Sequence, residues 1–274
     1  MTYREICAQL TAAGIEDAAS EAGLLLSRFC GVRPYELPFR RDEQFSSEAL
    51  KEAVARRGSR EPLQYLIGQW DFFGMTFSVN HDCLIPRPDT ELLVEQAISL
   101  MPGGAHFADF CTGSGCIAAA VLANRPDTTC VAVDAFEKTL DVARQNCKDH
   151  GVAHRTQFML RDLLLPMTDA FAPKFDCILS NPPYIPSSVV TTLAPELSFE
   201  PQVALDGGED GLIFYRHFLS QSEQVLKEDG FWLFEIGYDQ QEAICNLAGE
   251  YGFVCTVMRD LGGNPRVAYL RRKN

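Results

Sequence analysis

The chain has 274 residues, of which 46% are hydrophobic and 22% charged, a globular composition long enough for one large domain or two unequal ones. Its 24 Lys and Arg against 37 Asp and Glu give a net charge of −13. This charge argues against stable nucleic-acid binding, because such surfaces collect Lys and Arg. No uninterrupted apolar run approaches the roughly 18 residues needed to span a bilayer, so we expect no membrane partner.

The ten cysteines are scattered without a Cys-x-x-Cys pair, and most lie inside apolar runs, where a free thiol acts as a small hydrophobic side chain. The five histidines show no spacing typical of metal ligands. We therefore expect neither a disulfide framework nor a metal site. The first residues lack the basic start and apolar block of a signal peptide, so we expect a cytoplasmic protein.

The first part of the chain predicts a small helical bundle. Ala22, Leu25 and Phe29 recur at the spacing of one helix face, and a second helix is predicted over 47–58. No residues in this part form a catalytic pattern. We therefore assign residues 1–71 to an N-terminal helical domain that docks a partner.

Residues 72–88 are aromatic and β-leaning, with Gly74 as a turn residue, and we expect a β-hairpin that links two domains. Prolines then stiffen the chain, and Asp89 is placed to cap a helix that runs to about Leu100. We assign the rest of the chain, 89–274, to one larger domain.

This larger domain alternates short apolar runs with helical segments. The β-rich runs lie at 106–111, 130–135, 157–161, 175–181, 230–237, 253–261 and 265–272, and helices are predicted at 115–124, 136–150, 211–228 and 239–251. Strands alternating with helices indicate an α/β fold with a doubly wound parallel sheet. Only a short glycine-rich turn separates the last two strands, so they should add an antiparallel edge hairpin, making seven strands.

A loop of small residues follows the first strand of this sheet and opens a helix. It consists of Asp109, Phe110, Cys111, Thr112, Gly113, Ser114 and Gly115. The glycines permit a tight turn and a close approach of ligand to backbone, and the helix N-terminus favours negative charge. Asp134 ends the second strand about twenty residues further on, where a carboxylate can accept from both ribose hydroxyls. The spacing also fits a nicotinamide dinucleotide or no ligand, so the loop alone leaves the cofactor open.

Asp109 favours one cofactor over the others. A carboxylate just before the loop would repel a pyrophosphate, yet it suits the ammonium group of an amino acid. A ligand with a ribose and an ammonium group but no phosphate is S-adenosylmethionine, which becomes S-adenosylhomocysteine after methyl transfer. In the alternative, Asp109 only caps amides of the loop. Asp162, after the third strand, is placed to meet the adenine amino group with Leu163 beside it, unless Asp162 is a solvated strand-end carboxylate.

The fourth strand ends in a second motif, Asn181, Pro182, Pro183 and Tyr184. Two prolines fix the backbone and remove two N–H donors, which leaves carbonyl oxygens free to accept. The Asn181 side-chain oxygen and the Pro182 carbonyl can then take both protons of one planar NH2 group, while Tyr184 offers that group a flat face. The alternative is a plain exit from strand to loop, since Asn-Pro is a common turn dipeptide.

The expected topology brings the two loops together. In a doubly wound sheet the strand order reverses beside the first strand, and ligands bind there, beyond the carboxyl ends of the strands. The fourth strand is the neighbour of the first at that point, so the loop of Gly113 should face the loop of Asn181. We therefore expect in-line transfer of a methyl group to a nitrogen atom.

With these motifs in view, the chain resembles the protein-(glutamine) methyltransferases of the HemK/PrmC type over nearly its whole length. Besides the two loops, the matching segments are 62–68 (PLQYLIG), 71–74 (DFFG), 84–91 (LIPRPDTE) and 200–212 (EPQVALDGGEDGL). The last two are the specific ones. The resemblance implies the class I S-adenosylmethionine-dependent methyltransferase fold. It also implies methylation of the glutamine in the Gly-Gly-Gln loop of class I peptide-chain release factors.

The resemblance implies further site residues and shows one departure. Arg87 and Glu200, in the two specific segments, would support the loop that receives the substrate, and no metal is implied. Cys111 stands where the family usually has glycine. We expect Cys111 to adopt an ordinary backbone conformation and to narrow the methionine end of the pocket, because a positive φ would cost about 1 kcal/mol.

Three other functions remain open at this point. A glutamine methyltransferase of a ribosomal protein would share both loops and differ in the partner that its N-terminal domain selects. An adenine-amino methyltransferase of DNA or RNA would also suit Asn181, but the net charge of −13 and the lack of a sizeable target-recognition domain oppose it. A non-catalytic sensor of the methyl donor would need no Asn-Pro-Pro-Tyr sequence.

Overall fold

The structure is a computed structural model that describes residues 1–168 and 170–273. It divides into two compact units. The first comprises Met1–Trp70 together with Ala194–Phe199, and the second comprises the rest of the chain.

Four helices form the first unit: α1 (Tyr3–Ala12), α2 (Ala18–Cys30), α3 (Glu48–Gly58) and α4 (Leu63–Ile67). Their apolar faces share a core in which Ile6, Leu25 and Leu50 are fully buried. α2 ends at Gly31, whose left-handed conformation closes the last turn, and the Ser47 hydroxyl caps the start of α3. The predicted helical bundle is confirmed.

The segment Ala194–Phe199 belongs to this unit through the carboxylate of Glu196. Buried Arg57 lies 3.2 Å from it and Arg60 lies 2.7 Å from it. Arg57 also pairs with Glu21 at 2.6 Å. Two carboxylates therefore compensate the charge of one buried guanidinium.

A β-hairpin follows, but its position differs from the predicted 72–88. Its strands are β1 (Gln69–Phe72) and β2 (Met75–Ser78). Phe73 and Gly74 form the turn, and both have positive φ, at 52° and 70°. A two-residue turn pairs equal lengths of chain on its two sides, so the strand after Gly74 takes its partner from the residues before Phe73.

Seven strands form the sheet of the second unit: β3 (His106–Phe110), β4 (Thr129–Asp134), β5 (Thr156–Leu160), β6 (Phe175–Ser180), β7 (Leu226–Glu235), β8 (Phe253–Arg259) and β9 (Pro265–Arg272). Their order is β5-β4-β3-β6-β7-β9-β8. The pairs among β3 to β7 are parallel, and β9 pairs antiparallel with β7 and β8. The predicted sheet with its antiparallel edge hairpin is confirmed.

Helices cover both faces of this sheet, which is why its strands appear in the sequence as continuous apolar runs. The helices of this unit are α5 (Glu91–Leu100), α6 (Cys116–Asn124), α7 (Glu137–Asp149), α8 (Ser187–Val190), α9 (Ile213–Ser220), α10 (Ser222–Val225) and α11 (Gln241–Glu250). The short α8 has no buried residue and does not cover the sheet. Cys130 and Ala132 of β4 enter the core under α5 and α6, and Val131 and Val133 enter the core under α9 and α11.

Two local expectations are wrong. Asp89 does not cap a helix: α5 begins at Glu91 with no side-chain cap, and the Asp89 carboxylate instead pairs with Arg266 at 3.1 Å. The helix predicted over 211–228 is two shorter helices, because β7 already begins at Leu226 and its strand pairing ends the helical stretch.

The reversal of strand order lies where the topology predicted it. β3 pairs with β4 on one side and β6 on the other. Phe110 and Ser180, the last residues of β3 and β6, lie opposite each other in the register, and the Ser180 hydroxyl donates to the Phe110 carbonyl at 2.6 Å. The glycine loop and the Asn-Pro-Pro-Tyr loop therefore leave the sheet side by side.

Candidate active site

The glycine loop joins β3 to α6 through three left-handed residues. Cys111, Gly113 and Gly115 have φ values of 61°, 55° and 77°. A Cβ on Gly115 would lie 3.0 Å from the Cβ of Ala143 in α7, so a glycine here lets the start of α6 approach that helix closely. The Thr112 amide donates to the Val133 carbonyl at 3.0 Å, which fixes the loop to the end of β4.

Cys111 does not adopt the ordinary backbone conformation that we expected. Its φ of 61° is left-handed, a region where the Cβ of an L-residue comes too close to the following carbonyl oxygen. Its half-buried side chain packs against the core under α9 and α11 and lines the cavity described below. Burial holds the pKa of the thiol well above its usual value, so Cys111 is a neutral packing residue in the loop.

Asp109 has one committed and one unpaired carboxylate oxygen. Oδ2 accepts from the Thr112 hydroxyl at 2.7 Å and from the Ala118 amide at 3.2 Å, so it caps the first turn of α6. Oδ1 is buried and has no hydrogen-bond partner within residues 1–168 and 170–273. Burial raises the pKa of this carboxyl to about 7. A buried, unpaired acceptor is costly, and a donor group on a ligand would remove that cost.

A cavity of about 480 Å³ lies beyond the carboxyl ends of β3, β4 and β6. This volume is in the range of sites for small molecules. The predicted site residues that line it are Cys111, Gly113, Asp134, Asp162, Leu163, Asn181 and Pro183. Further walls come from 81–84, 135–139, Val203 and Phe214.

Asp134 lines the cavity, and each of its carboxylate oxygens accepts one hydrogen bond from the backbone. Oδ2 accepts from the Gly113 amide at 3.0 Å, and Oδ1 accepts from the Phe136 amide at 3.2 Å. Each oxygen retains a lone pair, so the carboxylate can accept two further hydrogen bonds from a diol. Its burial raises its pKa. Asp162 is exposed at the cavity, while Leu163 beside it is buried.

The Asn-Pro-Pro-Tyr loop is anchored by a buried hydrogen-bond network. Asn181 Nδ2 donates to Thr90 Oγ1 at 3.2 Å, and Thr90 Oγ1 donates to Glu235 Oε2 at 2.6 Å. The Tyr184 hydroxyl donates to Glu235 Oε1 at 3.2 Å. Burial raises the pKa of Glu235 to about 7, although the Arg266 guanidinium acts in the opposite direction.

The segment 200–212 packs against the backbone of this loop. A Cβ on Gly207 would lie 2.8 Å from the Pro183 carbonyl oxygen, and one on Gly211 would lie 2.3 Å from the Tyr184 carbonyl oxygen. Only glycine permits this approach. The Gln240 side chain donates to the same Tyr184 oxygen at 3.0 Å, so the loop is held from two sides.

Arg87 and Glu200 meet in the structure although 113 positions separate them. The Glu200 carboxylate is buried, pairs with the Arg87 guanidinium, and accepts from the Ile85 amide at 3.1 Å. The pair therefore joins segment 84–91 to segment 200–212, the two specific segments of the sequence.

Several predicted site residues do not line the cavity. They are Asp109, Phe110, Thr112, Ser114, Gly115, Pro182, Tyr184, Arg87 and Glu200. The Phe110 ring lies in the core against Phe171 and Trp232, because alternate residues of a strand point to opposite faces. Thr112 and Ser114 are buried: the Thr112 hydroxyl donates to Asp109, and the Ser114 carbonyl accepts from the Asn146 side chain of α7.

Sequence reasoning missed Thr90, Phe136, Glu235 and Gln240. The Glu235 signal was present: a carboxylate follows the apolar, buried run 230–234 at the end of β7, and a buried charge needs partners. Phe136 follows Asp134 by two residues and exposes 49% of its surface at the cavity, but a single aromatic residue there has no distinctive spacing. Thr90 lies in the specific segment 84–91, but its own role depends on a contact with a residue 145 positions away, which the sequence does not reveal.

The chain is similar to known proteins over both of its units. Residues 2–68 match the family model described as PrmC N-terminal domain, and residues 88–237 match the Methyltransferase small domain. A release factor glutamine methyltransferase of Geobacter sulfurreducens is 38% identical over 259 residues, covering 93% of this chain and 89% of that protein. One of Thermodesulfovibrio yellowstonii is 37% identical and covers 82% of each chain. The chain belongs to the release factor glutamine methyltransferase family.

The fold agrees with this membership. A solved methyltransferase from Pyrococcus furiosus superimposes with a TM-score of 0.55 at 16% identity, covering 73% of this chain and 89% of that one, which shows a shared fold. As a release factor glutamine methyltransferase the chain is an enzyme that transfers a methyl group.

The residues of this methyltransferase suit the S-adenosylmethionine that its domain implies. Asp134 lines the cavity and has lone pairs left for two hydroxyls. The unpaired Oδ1 of Asp109, which does not line the cavity, would gain a partner from a cationic group that reaches behind the glycine loop. In the part of the chain that the structure describes, no cluster of three or more His, Cys, Asp or Glu could hold a metal ion. No helix of that part is long and apolar enough to cross a membrane.

Proposed function

We propose that this enzyme transfers a methyl group from S-adenosylmethionine to the side-chain amide nitrogen of the glutamine in the Gly-Gly-Gln loop of class I peptide-chain release factors. The observation that carries this proposal is the Asn181 amide at the cavity, with its nitrogen committed to Thr90 and its oxygen left to accept. A glutamine side chain presents the NH2 group that this oxygen would bind. The names of the relatives support the same substrate.

Different residues would contact different parts of the methyl donor. Asp134 would accept from the two ribose hydroxyls, and the glycine loop at Gly113 would lie along the methionine portion. Asp109 would compensate the ammonium group through its unpaired oxygen. Asp162, Leu163 and the exposed ring of Phe136 would bound the adenine. When bound, this cofactor supplies an electrophilic methyl group on a sulfonium centre.

The chain's own contribution to the reaction is positioning. An amide nitrogen is a weak nucleophile because its lone pair is delocalised into the carbonyl group, and its protons are too weakly acidic for a side chain to remove at neutral pH. Asn181 Oδ1 and the Pro182 carbonyl would each hold one amide proton, which aims the face of the nitrogen at the methyl group. Tyr184, fixed by Glu235, would pack against the planar amide. The proton leaves during or after transfer.

The remaining roles follow from the same proposal. Residues 1–71 would dock the release factor and 89–274 would catalyse, with the hairpin of β1 and β2 between them in the chain. Arg87 and Glu200 would hold the loop that receives the substrate. Because release factors act in translation, the enzyme would work in the cytoplasm, without stable nucleic-acid binding and without a metal.

Incubation with labelled methyl donor and candidate substrates tests the substrate class. We expect label on release factor, at glutamine by mass spectrometry, and none on a release factor whose loop glutamine is replaced by glutamate. Ribosomal protein and duplex DNA serve as competing substrates in the same assay. Label on a ribosomal protein alone, or on adenine, would replace the proposal with the corresponding alternative.

A further inference from the structure

A buried relay runs from the Asn181 amide to a carboxylate on a different strand. Asn181 follows β6, Thr90 precedes α5, and Glu235 ends β7, so three elements meet at two hydrogen bonds of 3.2 Å and 2.6 Å. Thr90 is 2% exposed and Glu235 is 1% exposed. The bond between Thr90 and Glu235 is therefore shielded from water, whereas the bond from Asn181, at the cavity, is partly buried.

The relay has only one direction when Glu235 is ionised, which its raised pKa of about 7 confines to pH values above about 7. A carboxylate has no proton to give, so the single hydroxyl proton of Thr90 must go to Glu235. The lone pairs of the Thr90 oxygen then remain as acceptors, and they select the NH2 end of the Asn181 amide. The carbonyl end of Asn181 is consequently turned away from Thr90.

The opposite orientation would be unproductive. A rotated Asn181 amide would present its own NH2 group to the NH2 group of the substrate, and two donors facing each other form no hydrogen bond. An asparagine side chain has nearly the same shape in both orientations, so packing alone does not choose between them. The Asn181 amide therefore needs a neighbour that can only accept a hydrogen bond, so that its NH2 end is held on that side.

We propose that Thr90 and Glu235 are positioning residues that lock the Asn181 amide with its oxygen facing the substrate. This inference rests on the proposed function, in which that oxygen holds an amide proton of the glutamine. The second oxygen of Glu235 accepts from Tyr184, so one carboxylate orients both polar side chains of the Asn-Pro-Pro-Tyr loop.

The kinetic test compares two variants at Thr90. Thr90→Val removes the hydroxyl with little change of shape, and we expect kcat to fall on the order of 10²-fold, as for other small misplacements of a reacting group. KM for release factor should change less than about threefold, because the rest of the substrate surface is untouched. Thr90→Ser restores the hydroxyl and should recover most of kcat.

Thr128→Val is the matched control, since Thr128 is also a buried threonine whose hydroxyl donates, at 2.9 Å, to a backbone oxygen. It should lower stability without changing kcat. Full turnover in Thr90→Val, or a Thr90→Ser variant as slow as Thr90→Val, would overturn the inference while leaving the proposed function standing.

A second measurement needs neither donor nor substrate. In proton–nitrogen NMR spectra of the wild-type protein, the Asn181 side-chain amide should show a slowly exchanging, hydrogen-bonded proton, assigned by its loss in Asn181→Asp. Thr90→Val should abolish that protection and Thr90→Ser should keep it. Fast exchange in the wild type would contradict the relay, whatever the substrate proves to be. Absence of methyl transfer to release factor, with protection present, would instead contradict only the proposed function.

Discussion

At the scale of single residues, the backbone of Cys111 carries a measurable strain. Cys111→Gly and Cys111→Ala both remove the thiol, so their difference isolates the left-handed backbone at φ 61°. We expect the glycine variant to be more stable than the alanine variant by about 1 kcal/mol. Chemical denaturation of the two proteins measures this difference. An alanine variant as stable as the glycine variant would show that the position is not strained.

Asn181 is the residue on which turnover should depend most. Asn181→Ala removes one of the two acceptors for the substrate NH2 group, and we expect turnover to fall on the order of 10²–10³-fold, as for loss of one preorganised polar contact. Donor affinity should change much less, because other residues hold the donor. Asn181→Asp can still accept and should retain more activity than alanine. Near-full turnover in Asn181→Ala would exclude the positioning mechanism.

Asp134 and Gly113 should govern donor binding instead. Asp134→Ala removes the carboxylate that faces the ribose, and Gly113→Arg places a long side chain in the cavity that Gly113 lines. We expect calorimetry to show weaker S-adenosylmethionine binding in both variants. Unchanged affinity for S-adenosylmethionine in both variants would show that the glycine loop does not bind the donor.

At the scale of elements, the close approach of the 200–212 segment to the Asn-Pro-Pro-Tyr loop is the contact most open to test. Gly211→Ala would place a Cβ 2.3 Å from the Tyr184 oxygen at a residue with φ 73°, so the loop must move. We expect the free energy of unfolding to fall by about 2 kcal/mol or more beyond the cost of the backbone conformation. We also expect a large fall in kcat.

Gly252→Ala is the control for that variant. Gly252 also has positive φ, at 79°, but a Cβ there would meet no atom within 4 Å. Gly252→Ala should lower the free energy of unfolding by about 1 kcal/mol through its backbone conformation alone and leave kcat unchanged. Equal effects of the two substitutions on kcat would show that the contact with Tyr184 does not position the catalytic loop.

At the scale of the whole molecule, two buried acids should make folding stability fall as pH rises. Burial raises the pKa of Asp109 and of Glu235 to about 7, whereas carboxyls of an unfolded chain ionise near pH 4. Between about pH 4 and pH 7 the unfolded state therefore loses protons that the folded state keeps. The contribution of these two acids to stability is greatest below the unfolded pKa and declines until the folded pKa is passed.

Glu235→Gln reports the contribution of one of these acids, because the other carboxylates of the chain cancel in the comparison with wild type. We expect the free energy of unfolding of the variant, relative to wild type, to rise by a few kcal/mol between about pH 4.5 and pH 7, at about 1.4 kcal/mol per pH unit. Glu228→Gln, at an exposed position of the same strand, is the control for replacing a carboxylate by an amide. A difference for Glu235→Gln that does not change with pH would contradict the raised pKa of Glu235.

Local patterns in the sequence determined most of the fold. The seven apolar runs predicted the seven strands, because a strand covered on both faces must be apolar along its length. The short turn between β8 and β9 predicted their antiparallel pairing, because a parallel connection needs a longer crossover. The adjacency of the loops at Gly113 and Asn181 also followed, since the strand order of a doubly wound sheet decides which loops meet.

Contacts between distant residues were decided only by the tertiary structure. The left-handed conformation of Cys111 depends on how its loop closes against β4, which no property of a cysteine reveals. The ion pair of Asp89 with Arg266 displaced a plausible local cap, because a guanidinium from β9 lies close to it. Thr90, Glu235 and Asn181 form one relay although 145 positions separate Thr90 from Glu235 and 91 separate it from Asn181. Periodicity encodes which face of an element is buried, but side-chain partners across a sheet depend on three-dimensional packing.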